Sequence, residues 1–137
     1  GVHGYLVAGT GNKIEDFGVG FFTKYGDGGV DVSPIADLTK SEVYVVAKAL
    51  GVVESIMRAA PTDGLFGDSR TDEDQIGASY PELEWAMDLR DRHVDVATLE
   101  LNERQRMVLD IYDRRNAANR HKMEPIPVCN VPEALKR

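Results

Sequence analysis

The sequence predicts an α/β fold, and three observations indicate it. The chain opens on a short apolar run, Gly4-Tyr5-Leu6-Val7-Ala8-Gly9-Thr10, which is typical of a buried strand. A second extended segment, 30–35, follows a glycine-rich loop and is stopped by proline. After residue 38, apolar residues recur at helical spacing behind clear capping signals. Extended segments followed by capped helices favour a parallel sheet covered by helices.

The end of the first predicted strand is a candidate binding position. In open α/β sheets, ligands bind at the carboxyl ends of the strands, where this strand would deliver Thr10 and Gly11. The stretch 21–29, FFTKYGDGG, follows and combines two phenylalanines, a lysine and three glycines. Glycine allows tight turns and close approach of the backbone to another group. The stretch is therefore either a ligand-facing loop or a tight connection over a core.

Four helices are predicted after this loop. Thr39 and Glu42 fit a capping box, so a helix should run from there to about Leu50, with a second, short helix over 54–60. A third helix should begin at Pro81, and Asn102 should cap a long helix over about 102–120. The residues expected to face inward are Val43, Val46, Ala47, Leu50, Leu83 or Trp85, Leu89, Val108, Ile111 and Tyr112.

Residues 62–78, TDGLFGDSRTDEDQIGA, combine turn formers with acidic side chains and little apolar periodicity. This composition predicts a mobile loop that becomes helical near Asp72 to Ile76. A disordered acidic loop without a role is the alternative interpretation.

Composition excludes several classes of protein. The net charge of −7, from 23 acidic and 16 basic residues, argues against nucleic acid as the main partner. No apolar run approaches the roughly 18–20 residues that a membrane helix needs. Cys129 is the single cysteine, so no intrachain disulfide can form and the cytoplasm is the expected location. No His, Cys and Asp cluster has the spacing of a transition-metal site.

Three ordered motifs carry a resemblance to a known family. They are GTGNKIED, GFFTKYGDGGVDVSPIADLTKSEV and APTDGLFGDSRTDEDQIGASY. Together they resemble the ammonia-dependent NAD synthetases, which are ATP pyrophosphatases with a Rossmann-like sheet. The resemblance implies that residues 1–137 are the C-terminal portion of a single synthetase domain, with 62–78 as its lid. The family's Ser-Gly-Gly-x-Asp-Ser loop, which wraps the ATP pyrophosphate, does not occur in the sequence. The chain alone is therefore expected to be incomplete for catalysis.

The resemblance also implies a reaction, its cofactor and its assembly. The nicotinate carboxylate of deamido-NAD attacks the α-phosphorus of ATP to give an adenylate, and ammonia then displaces AMP, with Mg²⁺ assisting. A homodimer with deamido-NAD at the subunit interface is expected of the intact enzyme. Two alternatives stay open: a portion of a glutamine-dependent NAD synthetase, and a non-catalytic nucleotide-binding or assembly module.

Four residues match the family's ATP and magnesium positions. The resemblance implies that Thr10, Lys40 and Thr62 contact ATP and that Glu15 binds Mg²⁺. A helix N-terminus with a lysine suits an anion, and Mg²⁺ accepts a single carboxylate beside phosphate oxygens. The alternatives are a solvated surface lysine and a first-turn glutamate that favours the helix macrodipole. The family often has Thr-Asp-His where this chain has Thr10-Gly11-Asn12.

Four further residues match the family's deamido-NAD positions: Lys24, Asp31, His121 and Lys122. The loop at 21–29 then becomes a shelf for this substrate, anchored by its phenylalanines. A basic pair at 121–122 is also what the macrodipole at a helix C-terminus would select.

Overall fold

A computed structural model describes residues 2–62, 64, 67 and 70–136. The α-helices within these residues are α1 (Lys40–Ala49), α2 (Glu54–Met57), α3 (Asp72–Ile76), α4 (Tyr80–Asp91) and α5 (Glu103–Met123). A π-helix over Ile14–Val19 precedes them, and 3₁₀ turns cover Val96–Thr98 and Glu133–Leu135. None of these helices combines the length and the hydropathy that crossing a bilayer requires.

The predicted capping box of α1 and the predicted cap of α5 are confirmed, and α3 and α4 also begin with capping boxes. Thr39 and Glu42 exchange both capping hydrogen bonds at α1, and Asn102 caps α5 through the backbone N–H of Gln105. The long helix continues to Met123, three residues beyond its predicted end. The reason is tertiary: the Lys122 ammonium, in the last turn, binds carbonyls of a distant loop and keeps that turn helical. The short helix α2 is smaller than predicted and ends at Met57.

The core lies where α4, α5 and the π-helix pack together. Leu83 of α4 is completely buried, whereas Trp85 is only partly buried, which decides between the two predicted alternatives. Leu89, Val108 and Tyr112 are buried as predicted, and Ile111 packs against the edge of the core. The π-helix contributes fully buried Ile14 and Val19.

The opening segment differs from the prediction of a buried strand. Tyr5, Leu6 and Val7 are 82%, 70% and 55% exposed, so the prediction of burial is wrong. A parallel bridge between Ala8 and Val32 is the β pairing that the described residues contain. A strand is buried only when other layers cover its faces, and the described residues supply none over this segment. The larger Rossmann-like sheet stays a prediction.

The predicted inward face of α1 is also wrong. None of the ten residues of α1 is buried, and Leu50 is 78% exposed. The helix contacts α4 and α2 instead of lying in the core, and its Ser41 N–H donates to Glu84 of α4 at 2.8 Å.

The segment 62–78 is described at Thr62, Gly64, Gly67 and 70–78, so Asp63 and part of the predicted lid lie outside the described residues. The helix predicted near Asp72 to Ile76 is confirmed as α3. Its first and last residues are buried, and Glu73 accepts a hydrogen bond from the Tyr80 N–H at 2.8 Å. This end of the segment is therefore packed against α4, while opening and closing of a lid stay a prediction.

Candidate functional site

The turn after Thr10 is organised by a buried asparagine. Asn12 is 2% exposed, and its side-chain oxygen accepts from the N–H groups of Ile14 and Glu15 at 3.0 and 3.2 Å. Its own N–H donates to a Glu15 carboxylate oxygen at 3.2 Å. Asn12, one residue before the N-cap Lys13, thus binds N–H groups of the first turn of the π-helix and contacts the Glu15 carboxylate. This role explains why an asparagine suits the position at which the resembled family often has another residue.

Glu15, Lys40 and Tyr80 form a compact polar cluster, called here the Glu15–Lys40–Tyr80 cluster. The Lys40 ammonium donates to Glu15 Oε1 at 3.1 Å, and both side chains are mostly buried, at 21% and 15% exposure. The Tyr80 hydroxyl donates to the same oxygen and lies 3.2 Å from Asp72 Oδ2. The Lys40 nitrogen also lies 4.8 Å from the centre of the Tyr80 ring, within cation–π range.

Burial shifts two acid–base equilibria in and beside this cluster. Desolvation, together with the carboxylates of Glu15 and Asp72, raises the pKa of Tyr80 far above its ordinary value, so the hydroxyl stays a neutral donor. Desolvation, with the charges of Glu15 and Asp27, raises the pKa of Asp16 to about 6. Asp16 is therefore partly protonated near neutral pH, next to a glutamate that is engaged by a cation.

A cavity of about 740 Å³ lies beside the cluster. It brings together Thr10, Thr62 and Lys122 of the eight predicted site residues. Thr62 also lines a smaller, more apolar cavity of about 330 Å³ that Lys40 shares. Thr10 and Thr62 share the larger cavity, Thr62 and Lys40 share the smaller one, and Glu15 is joined to Lys40 by their ion pair. The roles of these four residues toward ATP and magnesium stay predictions.

The glycine-rich loop forms one wall of the larger cavity. Phe21 and Phe22 both line it, and Phe21 also packs against the core. The Thr23 N–H donates to Asp27 at 2.8 Å, which closes the turn. The structure thus gives Phe21 a core-packing role and places both phenylalanines in the cavity lining, while contact of the loop with a ligand stays a prediction.

The two predicted lysines of the deamido-NAD set hold this loop against the end of α5. Lys122 donates to the carbonyls of Gly20 and Phe22 at 2.9 and 2.8 Å, and its nitrogen lies 5.6 Å from the Phe22 ring. Lys24 donates to the carbonyl of His121 and, at 3.2 Å, to that of Glu124. Lys122 faces the cavity, whereas Lys24 is outside its lining.

Asp31 and His121 are not brought into the cavity lining. Asp31 is exposed and accepts from the Val7 N–H at 2.8 Å, which ties the two extended segments together. His121 is exposed, and its Nδ1 lies 3.2 Å from the carbonyl of Ala118.

The sequence patterns do not single out three further cavity residues: Gln75, Arg115 and Asn119. Arg115 donates to the Gln75 carbonyl at 2.5 Å, and burial, with nearby Arg114, lowers its pKa. Asn119 donates to the Val19 carbonyl at 2.9 Å. Positions 115, 119 and 122 are spaced as i, i+4 and i+7, so they share one face of α5. Because Lys122 is a predicted site residue on this helix, the residues one and two turns before it on the same face, Asn119 and Arg115, could have been predicted from helical periodicity.

The described residues suit a magnesium ion only if the ion takes most of its ligands from a bound phosphate group and water. The described residues hold no group of three or more His, Cys, Asp or Glu side chains that could bind a metal ion. Glu15 offers one carboxylate, which suits Mg²⁺ that takes its other ligands from phosphate and water.

Comparison with known proteins identifies the family. The family model described as NAD synthase matches residues 1–126. An NH(3)-dependent NAD(+) synthetase of Archaeoglobus fulgidus is 43% identical over 130 residues, covering 95% of this chain and 49% of the relative. The chain belongs to the NAD synthase family. An NH(3)-dependent NAD(+) synthetase of Mycoplasma genitalium is 38% identical over 119 residues. The alignment covers 87% of this chain and 44% of that relative. The chain thus spans about half the length of the curated NAD synthases it matches.

Two solved structures resemble the chain. A structure of NMN synthetase from Francisella tularensis superposes with a TM-score of 0.74 at 31% identity, covering 92% of this chain and 47% of that one. An NH3-dependent NAD synthetase from Campylobacter jejuni, in complex with the nitrate ion, gives a TM-score of 0.66 at 22% identity and covers 94% of this chain and 47% of that one. The chain therefore resembles about half of the length of each of these synthetase structures in fold.

Proposed function

We propose that this chain is the carboxyl-terminal portion of an enzyme that makes NAD from deamido-NAD, ATP and ammonia. The observation that carries the proposal is the cavity of about 740 Å³. Two hydroxyl-bearing residues, Thr10 and Thr62, and two cationic residues, Arg115 and Lys122, are among the residues that line it. The Lys40–Glu15 pair lies next to it through Thr62. Hydroxyls, cations and a carboxylate beside an apolar wall suit a nucleotide, which presents phosphates and a flat ring.

The chemical difficulty is the approach of two anions. The nicotinate carboxylate attacks the α-phosphorus of ATP, pyrophosphate leaves, and ammonia then attacks the activated carbonyl and displaces AMP. Fixed positive charge and positioning lower both barriers. The reason is that the cations and the reacting groups are already in place and need not reorganise during the reaction. Magnesium, when bound, supplies further positive charge to the polyphosphate oxygens.

The residues divide between the two substrates. Lys40 and the hydroxyls of Thr10 and Thr62 contact ATP, and Glu15 holds the metal that accompanies it. Lys122 faces deamido-NAD at the loop of residues 21–29. The remaining residues of this second set are Lys24, Asp31 and His121, which lie outside the cavity lining, so their contact with deamido-NAD is the part of the division that rests on the resemblance alone.

The first test is NAD formation from deamido-NAD, ATP, Mg²⁺ and ammonia. It is run with the 137-residue chain and with any longer polypeptide that contains it, because the chain spans about half of its relatives. We expect the longer polypeptide to form NAD and the chain alone to be inactive. Replacement of ammonia by glutamine tests the glutamine-dependent alternative. If the longer polypeptide forms no NAD with ammonia or with glutamine, the alternative of a non-catalytic nucleotide-binding module is favoured.

A second substrate is favoured by one comparison. The Francisella tularensis protein is an NMN synthetase, which suggests amidation of a mononucleotide in place of a dinucleotide. Nicotinate mononucleotide should be offered in parallel with deamido-NAD. The ratio of kcat/KM for the two substrates then assigns the preference, and a ratio in favour of the mononucleotide would replace the dinucleotide in the proposal.

Lysine variants test the division of residues. Lys40→Ala should raise KM for ATP and lower kcat/KM by on the order of tenfold or more, since a charge-assisted contact is lost. Lys24→Ala should raise KM for deamido-NAD without a matching change for ATP. Lys48→Ala is the matched control, because Lys48 lies on the same helix as Lys40 and is exposed. Unchanged kinetics in both variants would remove Lys40 and Lys24 from the proposed substrate contacts.

A homodimer, a cytoplasmic location and closure of segment 62–78 belong to the same proposal. Light scattering of the longer polypeptide measures the dimer. Hydrogen exchange with and without ATP and deamido-NAD measures closure, which predicts stronger protection of 62–78 when the substrates are bound.

A further inference from the structure

Tyr80 is the residue at which three parts of the proposed site meet. It is the first residue of α4, it is 3% exposed, and it touches the π-helix through Glu15 and α1 through Lys40. Its hydroxyl also reaches Asp72, the first residue of α3, at the packed end of segment 62–78. Tyr80 is the last residue of the third family motif, but the resemblance implies no site role for it.

The backbone of Tyr80 is fixed from both sides. Ser79 and Glu82 form the capping box of α4, with the Ser79 N–H donating to Glu82 at 2.9 Å. The Tyr80 N–H donates to Glu73 of α3 at 2.8 Å. A side chain with two torsions on a backbone held this way has little freedom, so its hydroxyl occupies a defined position.

The two donors to Glu15 Oε1 differ in stiffness. Lysine carries its charge on a flexible four-carbon stem, and its position depends on what it binds. A tyrosine hydroxyl has one proton, and here that proton is directed to a carboxylate oxygen, which can only accept. The Tyr80 ring lies 4.8 Å from the Lys40 ammonium, so the same side chain also limits where that cation can move. Without the hydroxyl, Glu15 Oε1 would be held by the flexible lysine.

We propose that Tyr80 is a positioning residue of the ATP site, whose hydroxyl fixes the Glu15 carboxylate while its ring fixes the Lys40 ammonium. One rigid side chain thereby sets the spacing between the carboxylate and the cation that receive metal-bound ATP. This inference rests on the proposed function, because it needs Glu15 and Lys40 to face that ligand.

The test compares Tyr80→Phe with Tyr112→Phe in the polypeptide that forms NAD. Both changes remove a single hydroxyl from a buried tyrosine, at 3% and 4% exposure. Tyr112 lines a different cavity, beside Arg90 and Asp113, and serves as the matched control. The probe is Mn²⁺ with ATP, and the measurements are electron paramagnetic resonance of bound Mn²⁺ and calorimetric titration with Mn²⁺·ATP and, separately, with deamido-NAD.

We expect Tyr80→Phe to weaken Mn²⁺·ATP binding by on the order of tenfold, as for a lost hydrogen bond to a charged group. Deamido-NAD affinity should stay within about twofold, and Tyr112→Phe should change neither. Unaltered Mn²⁺·ATP affinity in Tyr80→Phe overturns the positioning role while the proposed function stands. Equal losses of both affinities with a lowered Tm also overturn it, because they indicate general damage to the fold. An unsubstituted polypeptide that binds no Mn²⁺·ATP and forms no NAD overturns both proposals.

Discussion

The helices α1 and α4 begin with the same local signal but bury very different amounts of apolar surface. Each has a complete capping box, Thr39 with Glu42 at α1 and Ser79 with Glu82 at α4. α4 buries five residues against α5 and the π-helix, whereas α1 buries none. Caps therefore determine where helices begin, and tertiary neighbours determine which apolar residues leave water.

The proposed site lies at the boundary between these two regions. Lys40 is the first residue of α1, Tyr80 is the first residue of α4, and Glu15 belongs to the π-helix of the core. α1 reaches the core through polar contacts of its first turn, namely the Lys40–Glu15 pair and the Ser41 N–H to Glu84. The position of α1 thus depends on the same groups that are proposed to bind ATP.

The largest expected effect comes from truncating one leucine in each region. Leu83→Ala in α4 removes a completely buried side chain and should lower the free energy of unfolding by about 2–5 kcal/mol. Leu50→Ala at the end of α1 removes a side chain that is 78% exposed and should change it by about 0.5 kcal/mol or less. Urea unfolding followed by circular dichroism measures both values.

Similar losses in the two leucine variants would break the comparison. They would mean that Leu50 is covered in solution, by another chain or by residues outside the described part. Repeating the Leu50→Ala measurement over a range of protein concentrations separates these cases, since burial by a second chain depends on concentration.

Local patterns predict the parts of the structure that local contacts decide. The capping box of α1, the helix at 72–76 and the inward positions of Leu89 and Tyr112 all follow from residues within one or two turns of each other, whereas the choice between Leu83 and Trp85 does not. The sequence cannot show which apolar face finds a neighbour. Leu50 and the opening segment have the pattern of buried elements, but the described residues place nothing over them.

The site is predicted in part for the same reason. Thr10, Glu15, Lys40 and Thr62 follow from family motifs. The structure connects them only in steps, through two cavities that share Thr62 and through the Lys40–Glu15 ion pair, and their roles stay predictions. Tyr80 reaches Glu15 across 65 positions in the sequence, and Asn119 reaches Val19 across 100. Contacts of that range depend on how α4 and α5 pack, which no local pattern encodes.

Two glycines with the same backbone conformation, one beside the core and one after α1, test the same difference between the two regions with a smaller expected effect. Gly20 ends the π-helix at φ +62° and Gly51 follows α1 at φ +73°, a region that costs other residues about 1–2 kcal/mol. A Cβ at Gly20 would collide with the Asn119 side chain, whereas a Cβ at Gly51 meets open space. Gly20→Ala should therefore cost about 2–4 kcal/mol and Gly51→Ala about 1 kcal/mol in the same unfolding measurement.

Gly20→Ala should also disturb the cavity, because Gly20, Asn119 and Lys122 all line it. We expect weaker deamido-NAD binding in calorimetric titrations of this variant and unchanged binding in Gly51→Ala. An equal loss of stability in the two variants would show that backbone strain alone, without the packing of α5, governs both positions.

The two capping-box glutamates give the smallest expected effect, and it depends on pH. The Arg104 side chain, with a smaller contribution from Ser79, lowers the pKa of Glu82 to about 2. Hydrogen bonds from Thr39 lower the pKa of Glu42 in the same direction, but Glu42 is fully exposed and has no arginine partner of this kind. A carboxylate whose pKa is lower in the folded state stabilises the fold above its unfolded pKa, near 4.5. That stabilisation is lost as the pH falls from about 4.5 through about 2.

Glu82→Gln should cost about 1 kcal/mol at pH 7, after allowance for screening by solvent, and the difference from the unsubstituted chain should vanish towards pH 2. Glu42→Gln is the matched control and should show a smaller difference over the same range. Unfolding in urea at several pH values between 2 and 7 measures both. A difference for Glu82→Gln that is constant with pH would mean that shape, and not charge, holds the start of α4. In that case the burial of α4 in the core, and not the Glu82–Arg104 ion pair, would explain why α4 contributes more to stability than α1.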